Sequence, residues 1–350
     1  MNKNELETIS KIQFGVIGLG YWGPNLLRTI NSNPYCNLKT AVDVDSNKLR
    51  HFQKIYEETI FVNDLEQCLK DEFIDYMIVA TPPETHFEIA KKCLQSKKNI
   101  LVTKPLCLNL SESKTLLEIS KINDSNIFID ETFIFSNQVI ELKKLINNKN
   151  EFGDLTFINS NRVNLGLFQQ NTSVLWDLAP HDIAISSYIL DEYPDKVRCT
   201  AVNPFSNKDL YESYANCEYH FSKKGVIFTS QISWLSPVKS RRMVFGGTKQ
   251  TIIYDHLDLE APLKVFNQQI LTETNDGITN YDYVVGGQFI PKINIKEALV
   301  NEIDEIVSFH NNGVPIFSNG EHGVNSVSIL SSLEESSKNG GRLTEVELIN

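Results

Sequence analysis

Three sets of residues in this chain have the types and spacing that chemistry requires. The first lies in GVIGLGYWGPN, residues 15 to 25, where Gly18, Gly20 and Gly23 fall in G-x-G-x-x-G spacing. Phe14, Val16 and Ile17 before them read as a strand, and Leu26, Leu27 and Ile30 after them as an apolar helix face. A strand, a glycine turn and a helix start, in that order, form a cradle for a dinucleotide. Gly18 allows the tight turn, Gly20 lets the backbone approach a pyrophosphate, and Gly23 lets the helix pack on the strand. The diphosphate then lies on free N–H groups at the positive helix end, along Gly20, Tyr21 and Trp22. Glycine-rich turns are common, so the motif alone is weak. Asp43, at the end of the strand-like run 38–44 and twenty residues after Gly23, strengthens it, because a carboxylate there accepts hydrogen bonds from adenosine ribose hydroxyls. It also repels a 2′-phosphate, which favours NAD and leaves NADP possible. Asp45 competes for this role, and strand-end solvation or turn capping is the other reading of both acids.

The second set is a row of strand ends. Thr81-Pro82-Pro83-Glu84-Thr85-His86 follows the apolar run 74–80, and Thr103-Lys104-Pro105 follows the run 99–102. A lysine at a strand end, beside a proline that fixes the turn, is placed to reach a substrate hydroxyl; an ordinary exposed loop lysine is the alternative. Thr81, Pro82, His86 and Pro105 are the neighbours a cofactor would touch, with His86 read as a packing residue at a helix start rather than a catalyst. The third set is WDLAPHDI, 176–183. Asp177 and His181 are four apart, and Pro180 suits the first turn of a helix over 180–190 with Asp177 or Ala179 just before it. A histidine exchanges a proton near neutral pH, and a carboxylate orients it. Asp182 competes with Asp177 for that part, and a helix-capping core histidine is the alternative for His181.

These residues need elements to position them. In the first half, strands near 14–17, 38–44, 74–80, 99–102 and 126–130 alternate with helices at 65–69, 87–95 and 111–121, as a parallel sheet requires. Ligands in such sheets bind beyond the carboxyl ends of the strands, so Gly18 to Gly23, Asp43, Thr81 to His86, Thr103 to Pro105 and Asp130 to Thr132 gather at one edge. The second half shows long alternating runs at 154–164, 196–202, 215–221, 225–233, 241–246 and 250–255, which predict an open, mostly antiparallel sheet. Helical patterns return at 295–310 and 323–336. The fold class is α/β, with a Rossmann dinucleotide-binding domain over 1–127 and an α+β domain over 128–350.

The bulk numbers narrow the function. With 350 residues, 41% hydrophobic and 22% charged, the chain is that of a globular protein with two cores. Its net charge of −11, spread along the chain, argues against a nucleic-acid partner, which needs a basic patch. The run of Lys91, Lys92, Lys97 and Lys98 is a solvated helix end. Six scattered cysteines without C-x-x-C spacing read as free thiols, no metal site is expected from the dispersed histidines, and no run reaches membrane-spanning length. The expected location is cytoplasmic.

Taken together, GVIGLGYWGPN, AVDVD (41–45), IVATPPETHFEIA (78–90), LVTKPL (101–106), WDLAPHDI and GTKQTIIYD (247–255) resemble the Gfo/Idh/MocA family of NAD(P)-dependent oxidoreductases. The resemblance covers nearly the whole chain. It implies a dehydrogenase or ketoreductase acting on CH–OH, with Lys104 hydrogen-bonding the reacting oxygen and His181 exchanging its proton, and homodimers or homotetramers assembled through the outer sheet face. Trp176 before Asp-Leu-Ala-Pro-His-Asp, and the Gly-Tyr-Trp-Gly-Pro-Asn signature, resemble the branch found among nucleotide-sugar dehydrogenases of polysaccharide biosynthesis. Arg162 and Asn164 then become candidates for sugar hydroxyls, a carboxylate or a diphosphate; pairing of Arg162 with an acid and capping of a turn by Asn164 are the alternatives. A free sugar or inositol dehydrogenase, and an NAD-binding sensor without catalysis, are competing functions. The chain departs from the family where Thr103 replaces the glutamate before Lys104, and where Asp130-Glu131 replaces glycine-histidine. Glu131 could bind a substrate amino or hydroxyl group, or could be solvated.

Overall fold

The computed structural model describes residues 11–166, 168, 172–205, 211–275 and 278–349. They form two compact units: the described residues up to Thr132 with Glu297–Val327 and Ile349, and those from Phe133 to Lys296 with Ser328–Leu348.

The first unit alternates strand and helix: β1 (Ile12–Ile17), α1 (Gly23–Ser32), β2 (Cys36–Val42), α2 (Ser46–Gln53), β3 (Ile60–Val62), α3 (Leu65–Leu69), β4 (Tyr76–Val79), α4 (His86–Gln95), β5 (Asn99–Thr103), α5 (Leu110–Ile122) and β6 (Ile127–Asp130). All neighbouring strands are parallel, in the order β3-β2-β1-β4-β5-β6. The chain runs outward from β1 through β2 to β3, then restarts at β4 on the other side of β1. The point where the order reverses, between β1 and β4, is where such a sheet opens a crevice for a ligand. The central strands are apolar along their whole length because helices cover both faces: Met77, Ile78 and Val79 of β4 are 0% exposed. Helix α1 drives Leu26, Leu27 and Ile30 into that core, each 0% exposed and each stabilising by roughly 2 kcal/mol.

The second unit contains α6 (Asn137–Asn147), α7 (Lys149–Phe152), β7 (Leu155–Leu165), α8 (Val174–Leu190), β8 (Lys196–Val202), β9 (Tyr214–Phe221), β10 (Val226–Ser233), β11 (Leu235–Gly247), β12 (Thr251–Asp255), β13 (Leu263–Asn275) and β14 (Ile278–Phe289). Helix α9 (Ala298–Asn312) returns to the first unit, α10 (Gly320–Lys338) runs across the division, and β15 (Thr344–Glu345) ends on β8. The nine-stranded sheet has the order β14-β13-β12-β11-β7-β10-β9-β8-β15 and is antiparallel except where β7 meets β10. On β7 the period of two turns Ile158, Ser160 and Arg162 inward while Phe157 and Asn159 stay exposed. Helix α8 lies on that inner face against β7, β9 and β10.

Two expectations need correction. The single cut at 127/128 does not describe the units, because α9 packs against α1 and Ile129 donates to the carbonyl of Ser318 at 2.7 Å, both inside the first unit. Helix α8 begins at Val174 rather than at Pro180, which lies in its interior. Proline there leaves the Trp176 carbonyl without its helical donor; the first turn forms anyway because Val174, Leu175 and Trp176 are buried, and packing outweighs the lost bond. Helix α6 and the hairpin β13–β14 have no counterpart in the sequence reading; the hairpin strands mix polar and apolar residues on both faces. Among the described residues no helix is long and apolar enough to cross a membrane.

Candidate active site

In the first unit the glycine turn has the shape its spacing predicts. Gly18 has φ +93°, and a Cβ there would meet the Ala80 carbonyl oxygen at 2.6 Å; a Cβ on Gly23 would meet the Gly18 oxygen at 2.2 Å. A Cβ on Gly20 would meet nothing within 4 Å, so the backbone there borders open space. Helix α1 starts without a side-chain cap and without an acid in its first turn, which leaves its positive end available to an anion. Tyr21 is 94% exposed. These features fit a dinucleotide diphosphate.

Asp43 follows β2 and accepts from the Leu19 N–H at 2.6 Å and the Asp45 N–H at 2.8 Å, with Lys48 Nζ at 3.6 Å. It thus ties the end of β2 to the glycine turn. Asp45 caps α2 by accepting from the Asn47 N–H at 2.8 Å, which is the capping alternative. At the β4 end, the Thr85 hydroxyl bonds that of Thr81 at 2.7 Å, and Pro82 is exposed. His86 is 0% exposed, with Nδ1 2.8 Å from the Pro105 oxygen and Nε2 2.9 Å from the Thr81 oxygen. Burial pushes its pKa below the ordinary histidine value, so the ring is neutral and donates to one of these carbonyls. The expected cofactor contact at His86 is corrected: wholly enclosed, it is a strut joining the ends of β4 and β5. Pro105 is buried and Lys104 half-buried.

Beyond β6 the acids are neither solvated nor open to a ligand. Asp130, 4% exposed, accepts from the Trp22 indole N–H and from the Thr132 hydroxyl, the latter at 2.7 Å. It anchors the glycine turn to the far strand of the sheet. Glu131 is 1% exposed, its Oε1 3.6 Å from His322 Nε2. The expectation that it meets substrate is corrected by this burial, which raises its pKa. Glu302 of α9, also 1% exposed, is pushed well up by burial and by Asp130. Sequence reasoning missed Glu302, although a signal exists: it interrupts the apolar stripe of Leu299, Ile303 and Ile306 on one helix face.

In the second unit α8 carries Asp177, His181 and Asp182. Asp177 accepts from the Trp234 indole N–H at 3.1 Å. Asp182, 0% exposed, receives Arg162 Nε at 2.8 Å and Nη2 at 2.8 Å on Oδ1, and the Ser160 hydroxyl at 2.9 Å on Oδ2. Asp182 is therefore committed to Arg162. Arg162, expected at the substrate, is 4% exposed and holds β7 to α8. Asn164 stays half-buried near the β7 end, 2.6 Å from where a Gly166 Cβ would stand.

His181 meets the edge of Phe133, ring centroids 4.7 Å apart. The same ring contacts His256 at 4.9 Å, and the guanidinium carbons of Arg162 and Arg241 lie 5.0 and 5.9 Å from its centre. Burial and the cations Arg241, Arg162 and Lys239 press His256 to about 4. Phe133, Arg241 and His256 were not legible as site residues, yet the register of β11 and β12, Arg242 opposite Asp255, carries the signal: it sets Arg241 beside His256, whose N–H donates to the Arg241 carbonyl at 3.0 Å.

Comparison with known proteins agrees with this arrangement. Residues 12–130 match the model of an oxidoreductase family with an NAD-binding Rossmann fold, and residues 139–253 match a GFO/IDH/MocA C-terminal domain. The first unit is thus an NAD-binding Rossmann domain. An uncharacterized oxidoreductase of Streptococcus pneumoniae is 28% identical over 137 residues, covering 39% of this chain and 36% of that protein. Myo-inositol 2-dehydrogenase of Thermotoga maritima is 24% identical over 190 residues, covering 53% and 57%. The chain thus spans between about a third and somewhat over half the length of these curated relatives. Among solved structures, GenD2 from gentamicin A biosynthesis in complex with NAD superposes with a TM-score of 0.81 at 18% identity, covering 97% of both chains.

Proposed function

Because this chain belongs to the Gfo/Idh/MocA family of oxidoreductases, we propose that it moves a hydride between NAD and a ring hydroxyl or ketone of a sugar carrying an anionic group, a nucleotide-linked sugar of polysaccharide biosynthesis. The observation that carries the anionic substrate is the group around Phe133. There the Arg241 guanidinium carbon lies 5.9 Å from the centre of the ring that His181 also meets, a planar cation of the kind that binds a diphosphate or carboxylate. Bound NAD supplies the hydride acceptor. Gly18, Gly20 and Gly23 with the α1 N-terminus bind the diphosphate, Asp43 the ribose, and Thr81, Pro82 and Pro105 line the rest. Lys104 holds the reacting oxygen, His181 takes or returns its proton at an imidazole nitrogen, and Asp177 orients the start of α8 through Trp234. Asn164 is the remaining candidate for substrate hydroxyls. Assembly as a cytoplasmic homodimer or homotetramer belongs to the same reading, supported by Phe157 and Ile227, paired across β7 and β10 and each 46% exposed.

The test follows reduced-nicotinamide absorbance with UDP- and dTDP-linked sugars, free inositol and glucose, each with NAD or NADP. Turnover on a nucleotide sugar, lost by roughly two to four orders of magnitude in Lys104→Ala and His181→Ala with NAD affinity retained, is the expected result. Unchanged turnover in both variants overturns the assignment. A neutral cyclitol is the second reading, suggested by the Thermotoga relative; turnover on inositol alone selects it. NAD binding with no turnover on any sugar selects the sensor.

A further inference from the structure

Cys199 of β8 and Cys217 of β9 stand directly opposite each other, with their sulfurs 3.8 Å apart. Both lie on the buried face of the sheet, 0% and 3% exposed. The backbone decides which kind of antiparallel pair they form. The Cys199 N–H donates to the Ser336 hydroxyl at 2.9 Å, and the Ala201 N–H to that of Ser337 at 3.2 Å. Both N–H groups therefore point away from β9, so Cys199 and Cys217 occupy a non-hydrogen-bonded position. Residues paired in this way have Cα atoms about 4.5 Å apart and side chains drawn together, inside the span of about 4.4–6.8 Å that a disulfide bridges. Bringing the sulfurs to about 2.0 Å then needs side-chain rotation rather than movement of the strands. The other four cysteines belong to the first unit.

We propose that Cys199 and Cys217 are an oxidisable dithiol, which hydrogen peroxide converts within the folded chain into a disulfide stapling β8 to β9. The Cys217 S–H donates to Cys199, and that bond, together with burial, holds the Cys217 thiol well above the usual range. Cys217 thus keeps its proton, and Cys199, once ionised, is the attacking sulfur. Its thiolate breaks the peroxide O–O bond and becomes a sulfenic acid, and the departing hydroxide takes up a proton as water. The Cys217 sulfur then displaces the hydroxyl. The S–S bond forms, the S–O bond breaks, and the Cys217 proton leaves with the hydroxyl as a second water. Two thiols are oxidised and one peroxide is reduced. The oxidant enters at the sheet edge. Strand β15 pairs with β8 at Lys196 and Val197, and at Cys199 and Ala201 the edge is held by the two serine hydroxyls. Local opening there exposes Cys199.

The full-length protein is treated with hydrogen peroxide, alkylated and digested without reduction. By mass spectrometry the Cys199 and Cys217 peptides appear joined and lighter by the two thiol hydrogens, and reduction separates them. With dimedone present, Cys217→Ser carries the adduct at Cys199, because no second thiol resolves the sulfenic acid, while Cys199→Ser leaves Cys217 unlabelled. The joined protein unfolds about 5–10 °C above the reduced one, the order expected for closing a separation of 18 positions. A joined peptide that forms only after unfolding in urea, or none at all, overturns the dithiol. Equal dimedone labelling of Cys217 in Cys199→Ser overturns the assignment of the attacking sulfur, and an unchanged unfolding midpoint overturns the staple. Linkage in the unsubstituted chain decides the first point even where a variant fails to fold.

Discussion

Removing the charge of Asp182 should unfold the second unit more readily than any other single polar change there. Asp182 is 0% and Arg162 4% exposed, and hydrogen bonds of 2.8 and 2.9 Å from Arg162 Nε and Ser160, with a 2.8 Å ion pair from Arg162 Nη2, hold Asp182. Asp182→Asn keeps the shape but leaves the guanidinium buried without its counter-charge, and breaking one side of such a pair costs about 3–5 kcal/mol. Two charge-assisted bonds weakened by about 1.5 kcal/mol each reach the lower end of the same range. Urea unfolding followed by tryptophan fluorescence reads it directly, since Trp176 and Trp234 are 8% and 2% exposed in this unit. The loss should persist at high salt, because a buried pair is weakly screened. Replacing both partners, Arg162→Met with Asp182→Leu, should cost less than Asp182→Asn alone, since no charge is then stranded. A loss below about 1 kcal/mol for Asp182→Asn, or a double variant as damaged as the sum of its singles, refutes the reasoning.

Gly18→Ala should weaken NAD binding at least about tenfold by calorimetry and destabilise the first unit by roughly 2 kcal/mol. It combines φ +93° with a Cβ 2.6 Å from a backbone oxygen that cannot move aside; unaltered affinity counts against the cradle. His256 makes stability pH-dependent with a defined sign. Its folded pKa of about 4 lies below the ordinary 6.5, so between these values the unfolded chain binds the extra proton. Stability falls as pH drops through that window, by ~2 kcal/mol after screening by solvent. His256→Gln should flatten the slope of unfolding midpoint against pH between 6.5 and 4, and an unchanged slope rejects the role.

Local pattern made much of this molecule legible. The glycine spacing, the apolar runs and the strand-end residues come from short-range rules, and Leu65–Leu69 and Lys196–Val202 coincide with the elements read from them. A parallel strand buried on both faces must be apolar throughout, and a turn with φ +93° must be glycine, so these features are written residue by residue. Where packing competes with propensity, pattern misleads: Pro180 reads as a helix start and is carried inside α8 because the turn before it is buried. Partners far apart along the chain were decided by the fold alone. Asp130 takes Trp22 across 108 positions and Asp182 takes Arg162 across 20, while Glu131 is enclosed with His322 rather than exposed to substrate. Residue type states that a carboxylate must be hydrated, paired or protonated; which of these holds depends on which surfaces the chain brings together to exclude water, and that is a property of the packed structure.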